Sequence, residues 1–201
     1  MRFDLRIIAS LVEEGSRVLD LGCGRGDLLQ YLQIRKKVTA SGIEIDESKV
    51  IKAISRGLPV LHGDISTETQ DYADGTFDCV ILSQTLQQVL KPEEIIKEML
   101  RIGRVGIVSF PCFSHISIKL QLLFTSRAPV TRDLPYEWYK TPNIRVITLK
   151  DFRIFCARNR IRILKEIAVT GNFDGSSGRI VRRFPDWFAR YGIFFIAERP
   201  G

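Results

Sequence analysis

The chain has 201 residues, a formal net charge of +7 and a hydrophobic content of 45%, values that suit one globular domain. Its first six residues carry several charges, and no apolar run approaches the ~20 residues of a membrane span, so we expect no signal peptide and no membrane association. The four cysteines form no Cys-x-x-Cys pair and the two histidines are far apart. The number and spacing of the cysteines and histidines argue against disulfides and a metal site and favour a reducing cytoplasmic location. We therefore predict a single domain over residues 1–201.

A glycine-rich turn follows the first predicted strand, after a short leading helix. The strand, residues 18–21, places one acid, Asp20, among apolar residues, and a helical pattern begins at Asp27. Three glycines occupy alternate positions between them: Gly22, Gly24 and Gly26. A strand, a glycine turn and a helix N-terminus together form a nucleotide-binding corner. Because Asp27 stands where a dinucleotide fingerprint needs its third glycine, the two carboxylates predict a ligand bearing an ammonium or sulfonium group rather than a pyrophosphate.

The acid-and-glycine pattern resembles motif I of the class I methyltransferases that depend on S-adenosylmethionine (SAM), D/E-x-G-x-G-x-G. The matching positions are Asp20, Gly22, Gly24 and Gly26. The resemblance implies that this turn, with Cys23 inside it, binds SAM or S-adenosylhomocysteine. The alternative is a glycine turn that binds no ligand.

The second predicted strand, residues 38–44, ends in an acid 18 residues beyond Gly26. An acid at this point of a βαβ unit can accept hydrogen bonds from both ribose hydroxyls, so we assign that role to Glu44. The alternative for Glu44 is a solvated acid at the end of a strand. Asp46 is better placed to cap the helix that follows.

Two further strands complete the predicted binding edge. Residues 59–64 form a short apolar strand that ends in Asp64, and residues 77–82 form a hydrophobic strand that opens on Ser83 and Gln84. By resemblance to the methyltransferases, Asp64 would receive the adenine amino group, and Ser83 and Gln84 would flank the methionine moiety of SAM. The apolar residues that follow the two strand-end acids belong to the same predicted site: Ile45 and Ile65.

The rest of the chain continues the alternation of helices and strands. In order, we predict a helix from Pro92 to Gly103, a strand over 105–110, a helix capped by Thr148 and Asp151, and strands over 161–169 and 192–197. The last strand would run antiparallel and form a hairpin with the strand before it. The fold class is therefore α/β, a doubly wound and mostly parallel sheet of seven strands, as in the class I SAM-dependent methyltransferases.

Two segments lie outside this frame, an insertion over 111–147 and an arm over 170–191. Insertions after the fifth strand lie above the carboxyl ends of the strands, where open α/β sheets bind ligands. Four stretches in and near the insertion resemble the MetW family of methionine-biosynthesis proteins, a similarity that covers roughly residues 1–168: 82–87, 107–111, 120–122 and 134–144. The resemblance implies a SAM-binding protein with an accessory or regulatory role beside homoserine O-acyltransferase. The arm follows no pattern of the family.

A genuine methyltransferase acting on a small molecule or RNA is the alternative function, and the sequence identifies no catalytic residue for it. Cys112, where the family pattern has Asn, and His115 are the candidates for a nucleophile and a base. A packed thiol and a histidine that satisfies a loop carbonyl are the readings we favour instead. Three aromatic residues of the insertion would cover the cofactor, contact a partner or pack within a lid: Tyr136, Trp138 and Tyr139.

Charge is distributed unevenly along the chain. Residues 1–100 hold 12 Lys and Arg against 16 Asp and Glu, a net of −4, whereas residues 101–201 hold 18 against 7, a net of +11. Such asymmetry favours an acidic protein partner, with the acyltransferase first, a nucleic acid ranked below it, and solvated charges as the third reading. The densest basic patch lies beside Phe184 and Trp187: Arg179, Arg182 and Arg183.

Overall fold

The computed structural model describes residues 1–131, 134–171 and 177–199. Its strands are β1 (Arg17–Leu21), β2 (Thr39–Glu44), β3 (Val60–His62), β4 (Phe77–Ser83), β5 (Gly103–Pro111), β6 (Ile161–Gly171), β7 (Gly178–Ile180) and β8 (Tyr191–Glu198). Its helices are α1 (Phe3–Leu11), α2 (Asp27–Lys36), α3 (Glu47–Ile54), α4 (Ile65–Glu68), α5 (Pro92–Ile102), α6 (Ile116–Thr125), α7 (Leu149–Arg158) and α8 (Pro185–Phe188), with 3₁₀ turns at Thr69–Asp71 and Leu86–Gln88.

The strands form one mixed sheet in the order β3-β2-β1-β4-β5-β8-β6-β7. Strands β1 to β5 pair in parallel, whereas β8 pairs antiparallel with both β5 and β6. The structure confirms the α/β class, the mostly parallel sheet and the antiparallel last strand. This is the class I methyltransferase fold, with its carboxyl-terminal hairpin inserted beside β5.

The predicted count of seven strands is wrong, because the arm over 170–191 contributes an eighth. Strand β7 pairs antiparallel with the end of β6, from Val169 opposite Ile180 to Gly171 opposite Gly178. Three residues are too short to show an alternating pattern, so this edge strand owes its conformation to pairing and not to local propensity. Residues 172–176 of the arm lie outside the described residues.

Alternate residues of β1 show why the sheet is covered on both faces. Val18 packs in one cluster with Ile8 of α1 and Leu29 of α2, whereas Leu19 packs in a second cluster with Met99 of α5. Successive side chains of a strand point to opposite faces, so two apolar neighbours need helices on both sides. This packing fixes the sheet edge at which the glycine turn lies.

The predicted helix starts agree with the structure. Asp46 caps α3 by accepting hydrogen bonds from the backbone N–H groups of Ser48 and Lys49, at 3.0 and 3.3 Å. Thr148 caps α7 by accepting from the N–H of Asp151 at 3.1 Å. Within the part of the chain that the structure describes, no helix combines the length and apolar character that crossing a bilayer requires.

Candidate functional site

A cleft of about 550 Å³ opens at the carboxyl ends of β1 to β4. This volume lies within the range of small-molecule sites in proteins. Ten of the eleven residues predicted to bind the cofactor line it: Asp20, Gly22, Cys23, Gly24, Glu44, Ile45, Asp64, Ile65, Ser83 and Gln84. Four separate strand ends therefore bring residues distant in sequence to one cavity. The eleventh, Gly26, lies outside the lining.

The three glycines of the turn have different roles, although all have positive φ angles. A Cβ on Gly22 would lie 2.5 Å from Oγ1 of Thr85, and a Cβ on Gly26 would lie 2.3 Å from Cδ1 of Leu58. A Cβ on Gly24, at φ +59°, would meet no heavy atom within 4 Å and would enter the cleft that Gly24 lines. Gly26 therefore serves the packing of the turn, whereas Gly24 leaves open space for a ligand.

Glu44 holds the glycine turn in place from the end of β2. The residue is buried, its Oε2 accepts a hydrogen bond from the N–H of Gly24 at 2.8 Å, and its Oε1 accepts from the N–H of Asp46 at 2.9 Å. A carboxylate has about four acceptor positions. Two positions therefore remain for donors in the cleft, such as a pair of neighbouring hydroxyls. The structural role of Glu44 in holding the turn could not be predicted from its position at a strand end.

Asp20 presents an unpartnered acceptor. Its side chain is buried, and its Oδ1 has no hydrogen-bond partner among the residues that the structure describes. Burial, and secondly the negative charge of Glu44, raise the pKa of Asp20 to about 7. A buried carboxylate oxygen without a partner is costly, so this position favours a ligand that supplies a cation or a hydrogen-bond donor.

The third strand end supplies Asp64 and its neighbours. Oδ1 of Asp64 accepts a hydrogen bond from the N–H of Ser66 at 2.7 Å, which caps the short α4. Ile45, directly after β2, is 65% exposed, and Nε2 of His62 lies 3.1 Å from its carbonyl oxygen. The second oxygen of Asp64 and the side chain of Ile45 thus give this end of the cleft one acceptor and one apolar wall.

The loop after β4 closes the other end of the cleft. Gln84 has a φ of +56°, donates its backbone N–H to the carbonyl of Ser109 at 2.9 Å, and buries a side-chain nitrogen that has no partner within the described ranges. The hydroxyls of Ser83 and Ser109 lie 3.0 Å apart. A left-handed glutamine with a free buried amide is typical of a strained ligand-contacting position.

Two residues at the start of the chain also line the cleft and were not predicted from the sequence: Arg2, just before α1, and Leu5 within it. Nothing in the pattern of an amphipathic leading helix indicates that its start reaches the glycine turn. The structure also changes the electrostatic argument about Asp27, whose carboxylate pairs with Arg56 at 2.7 Å. Asp20 and Glu44 are therefore the buried acids of the cleft, and Oε1 of Glu44 lies 4.0 Å from the ammonium of Lys49.

The two catalytic candidates do not line the cleft. Cys112 is buried in the core, with its sulfur 3.1 Å from Oγ of Ser114. His115 caps α6, where its Nδ1 accepts a hydrogen bond from the N–H of Ser117 at 3.2 Å. Nor does any described residue of 111–147 line the cleft, although Ile144 donates its N–H to the carbonyl of Gln87 beside it. The burial of Cys112 agrees with a packed thiol, whereas the capping role of His115 differs from the loop-carbonyl contact expected from the sequence.

A family model described as methionine biosynthesis protein MetW matches residues 2–196. The bifunctional methionine biosynthesis protein MetXA/MetW of Rhodopirellula baltica is 31% identical over 176 residues, which are 83% of this chain and 28% of that protein. The chain thus spans less than a third of that relative's length.

Methyltransferases are also similar to this chain. A ubiquinone/menaquinone biosynthesis C-methyltransferase, UbiE, of Pseudomonas paraeruginosa is 28% identical over 72% of this chain and 63% of its own length. The crystal structure of a SAM-dependent methyltransferase from Thermotoga maritima, described as a possible histamine N-methyltransferase, matches with a TM-score of 0.70 at 18% identity, over 98% of this chain and 88% of that one. At that identity the likeness establishes the fold alone.

Proposed function

The chain belongs to the MetW family of methionine biosynthesis proteins, and from this membership we propose that its cleft binds SAM or S-adenosylhomocysteine in an accessory or regulatory role beside homoserine O-acyltransferase. The observation that carries the proposal is the orphaned oxygen of buried Asp20, within the same cleft as Glu44 and the open space at Gly24. A cationic adenosyl ligand satisfies all three features.

The residues of the cleft fit the parts of SAM. Glu44 would accept hydrogen bonds from the ribose hydroxyls, Asp64 would accept from the adenine amino group, and Asp20 would face the ammonium. Arg2, whose guanidinium pairs with Asp4 at 2.7 Å, is a cation in the lining that would also suit the carboxylate of the ligand. SAM supplies a methyl group activated on a sulfonium. The two buried carboxylates would repel a dinucleotide's pyrophosphate, which supports the choice of ligand.

The partnership with the acyltransferase rests on family membership and on the bifunctional relative, which joins MetXA and MetW in one protein. A fused chain keeps its parts at high effective concentration, as expected for proteins that act together. Methionine is the precursor of SAM, so a SAM site on a partner of an early enzyme would report the level of the end product. The acyltransferase activity would then depend on this protein and on SAM.

Two measurements test the proposal. Saturating S-adenosylhomocysteine should raise the unfolding temperature, because a ligand at 100 times its Kd stabilises a protein by about 2.7 kcal/mol. Purified homoserine O-acyltransferase should change its rate when this protein is added, and SAM should modify that change. A rate that stays constant at saturating protein, with and without SAM, would refute the regulatory role.

Methyl transfer to an acceptor is the second candidate, favoured by the similarity to UbiE. It requires release of S-adenosylhomocysteine from SAM in the presence of a cell extract, at a rate proportional to this protein. We expect no such turnover, and we expect Cys112→Ala and His115→Ala to leave ligand affinity unchanged, since neither residue lines the cleft. Protein-dependent turnover would make this candidate the function.

A further inference from the structure

Within the described parts of the chain, the exposed aromatic side chains lie in two segments, 120–139 without 132–133, and 184–188. Among the described residues, seven large aromatic side chains have about half or more of their surface exposed, and all come from these segments: Phe124, Tyr136, Trp138, Tyr139, Phe184, Trp187 and Phe188. Exposed large apolar residues elsewhere, such as Ile34 and Ile51, are not aromatic. We call these two segments the aromatic surface.

Contacts join the two segments into one continuous surface. The ammonium of Lys119 on α6 lies 3.8 Å from the ring centroid of Trp187 on α8. On the other side of α6, a recess of about 510 Å³ lies between Gln121 and Thr125 of the helix and Trp138 of the following segment. Helix α6 is therefore the centre of the surface, with an aromatic residue on each flank.

The end of helix α6, residues 122–125, is exposed, whereas its first four residues are partly buried. None of its residues is buried, although its sequence is largely apolar. Leu122, Leu123 and Phe124 are 54–78% exposed, and at 100° per residue these side chains point around the helix rather than to one face. Apolar side chains that are exposed all around the end of a helix are expected where another molecule covers them.

The size of the surface suits a specific protein interface. Seven aromatic side chains of ~200 Å² each, about half exposed, give on the order of 700 Å² before the leucines of α6 are included. A standard interface buries about 800 Å² on each partner. Aromatic residues and arginine are also the residue types that dominate binding energy at such interfaces.

Charge selects between the possible occupants. Four cations are exposed in or beside the aromatic surface: Arg127, Lys140, Arg182 and Arg183. Of its described carboxylates, Asp186 is held by Arg153 at 3.1 Å, and Glu137 lines the recess as a single exposed acid. A second copy would bring cations against cations, which disfavours a symmetric dimer. A bilayer would leave the polar lining of the recess without partners, which is costly in an apolar medium. An acidic protein surface satisfies both requirements.

We infer that the aromatic surface is a docking site for a protein patch with an apolar centre and an acidic rim, which inserts into the recess beside α6. The inference rests on the proposed function, because we take the partner to be the homoserine O-acyltransferase. It adds to that proposal the place of contact, which is separate from the cleft: no described residue of the aromatic surface lines the SAM site.

Surface plasmon resonance with immobilised acyltransferase tests the inference. The variant Leu123→Asp/Phe124→Asp should weaken binding at least about thirtyfold, the loss at an interface hot spot, and Trp138→Ala should raise the dissociation rate. The matched control is Ile34→Asp/Ile51→Asp, which places the same charges at exposed helical positions elsewhere and should bind as wild type. All variants should keep wild-type unfolding temperatures and wild-type affinity for S-adenosylhomocysteine.

Four outcomes would overturn the inference. Equal binding of wild type and the α6 variant would remove the surface but keep the partnership. Wild-type protein that binds S-adenosylhomocysteine but not the acyltransferase would remove the docking site and the partnership, and leave the cofactor site intact. Sedimentation with phosphatidylglycerol vesicles, lost in the α6 variant, would assign the surface to a membrane. A wild-type dimer that the α6 variant converts to a monomer would assign it to a second copy.

Discussion

The cleft and the aromatic surface follow opposite physical rules. In the cleft, a few buried polar groups are fixed by backbone hydrogen bonds, as when Glu44 accepts from both Gly24 and Asp46. On the aromatic surface, large apolar side chains such as Phe124 and Trp138 are exposed. A small polar ligand is therefore bound by preorganised hydrogen-bond acceptors, whereas a protein partner is bound through exposed apolar area that becomes buried on association.

The parts of the chain that form the cleft and the aromatic surface also differ in the sign of their net charge. The first 100 residues, which supply the described lining of the cleft, have a net charge of −4, and the remainder has +11. A cationic ligand and an acidic partner are therefore attracted to different parts of one molecule. Substitutions in the cleft should therefore leave binding of the protein partner unaltered, and substitutions on the aromatic surface should leave binding of the small ligand unaltered.

The largest effect is expected from Gly24→Val. Its side chain would enter the cleft, so affinity for S-adenosylhomocysteine should fall by more than about a hundredfold, while binding to the acyltransferase persists. Gly57→Val is the matched control, because Gly57 also has positive φ and open space around its Cβ position but lies outside the cleft lining. Both variants should lose ~1–2 kcal/mol of stability from the left-handed backbone. Equal loss of ligand affinity in both, measured by calorimetry, would mean that strain and not the cleft is responsible.

Glu44→Ala should have the next largest effect. It removes a carboxylate that we assign to the ribose and that also orients the glycine turn, so ligand binding should weaken by ~1–3 kcal/mol. Glu47→Ala removes an exposed acid from the same region without touching the turn and serves as the control for net charge. Calorimetric affinities that are the same for both variants would remove Glu44 from the site.

A smaller effect is expected from pH, through Asp20. Its pKa of about 7 means that the carboxyl is mostly protonated at pH 6 in the ligand-free protein, whereas a cationic ligand favours the ionised form. Affinity for SAM should therefore be about tenfold weaker at pH 6 than at pH 8. The pKa of Asp20 is higher in the folded state than in the unfolded chain, so folding favours the protonated carboxyl. The free energy of unfolding of the ligand-free protein should therefore fall as pH rises from about 4 through 7.

Asp20→Asn is the control for the pH experiment. An asparagine cannot ionise, so the difference between the two proteins isolates Asp20 from any titration of the ligand itself. The variant should bind SAM weakly, and its affinity should vary less with pH than that of wild type. Parallel pH profiles for the two proteins, measured by calorimetry, would show that Asp20 does not face the cation.

The smallest effect concerns the basic rim of the aromatic surface. Arg182→Glu/Arg183→Glu should slow association with the acyltransferase severalfold and change dissociation little, as steering charges do, and salt should reduce the difference. Arg158→Glu/Arg162→Glu changes the charge equally near the start of β6, away from the surface. If both variants associate at the same rate, net charge alone steers the partner. A nucleic-acid partner would be favoured if the wild-type protein bound unrelated RNA with an affinity that falls steeply with salt, and if Arg182→Glu/Arg183→Glu lowered that affinity.

Much of the fold and of the cleft could be predicted, because the glycine turn and the strand-end acids tolerate few residue types at fixed positions. Alternate glycines after Asp20 and an acid at position 44 are required by the backbone and the topology, and ten of the predicted residues do line one cleft. Gly26 does not line the cleft, and its missing side chain makes room for Leu58 instead. The sequence alone does not show whether a glycine is needed for close packing or for space around a ligand.

Other features depend on tertiary contacts that leave no local pattern. Strand β7 forms because the end of β6 offers an unpaired edge, and Arg2 reaches the cleft because α1 packs beside the glycine turn. The exposure of α6 could not be predicted either, since an apolar helical segment is normally assigned to a core. Its place outside the core becomes visible only when the sheet is seen to be covered without it.

Isothermal titration of the wild-type protein with SAM, S-adenosylhomocysteine and NAD⁺ tests the central claim most directly. We expect one site for each of the two adenosyl ligands, with weaker or no binding of NAD⁺, because Asp20 and Glu44 are buried acids in the same cleft. Absence of binding by both adenosyl ligands, or tighter binding of NAD⁺, would contradict it.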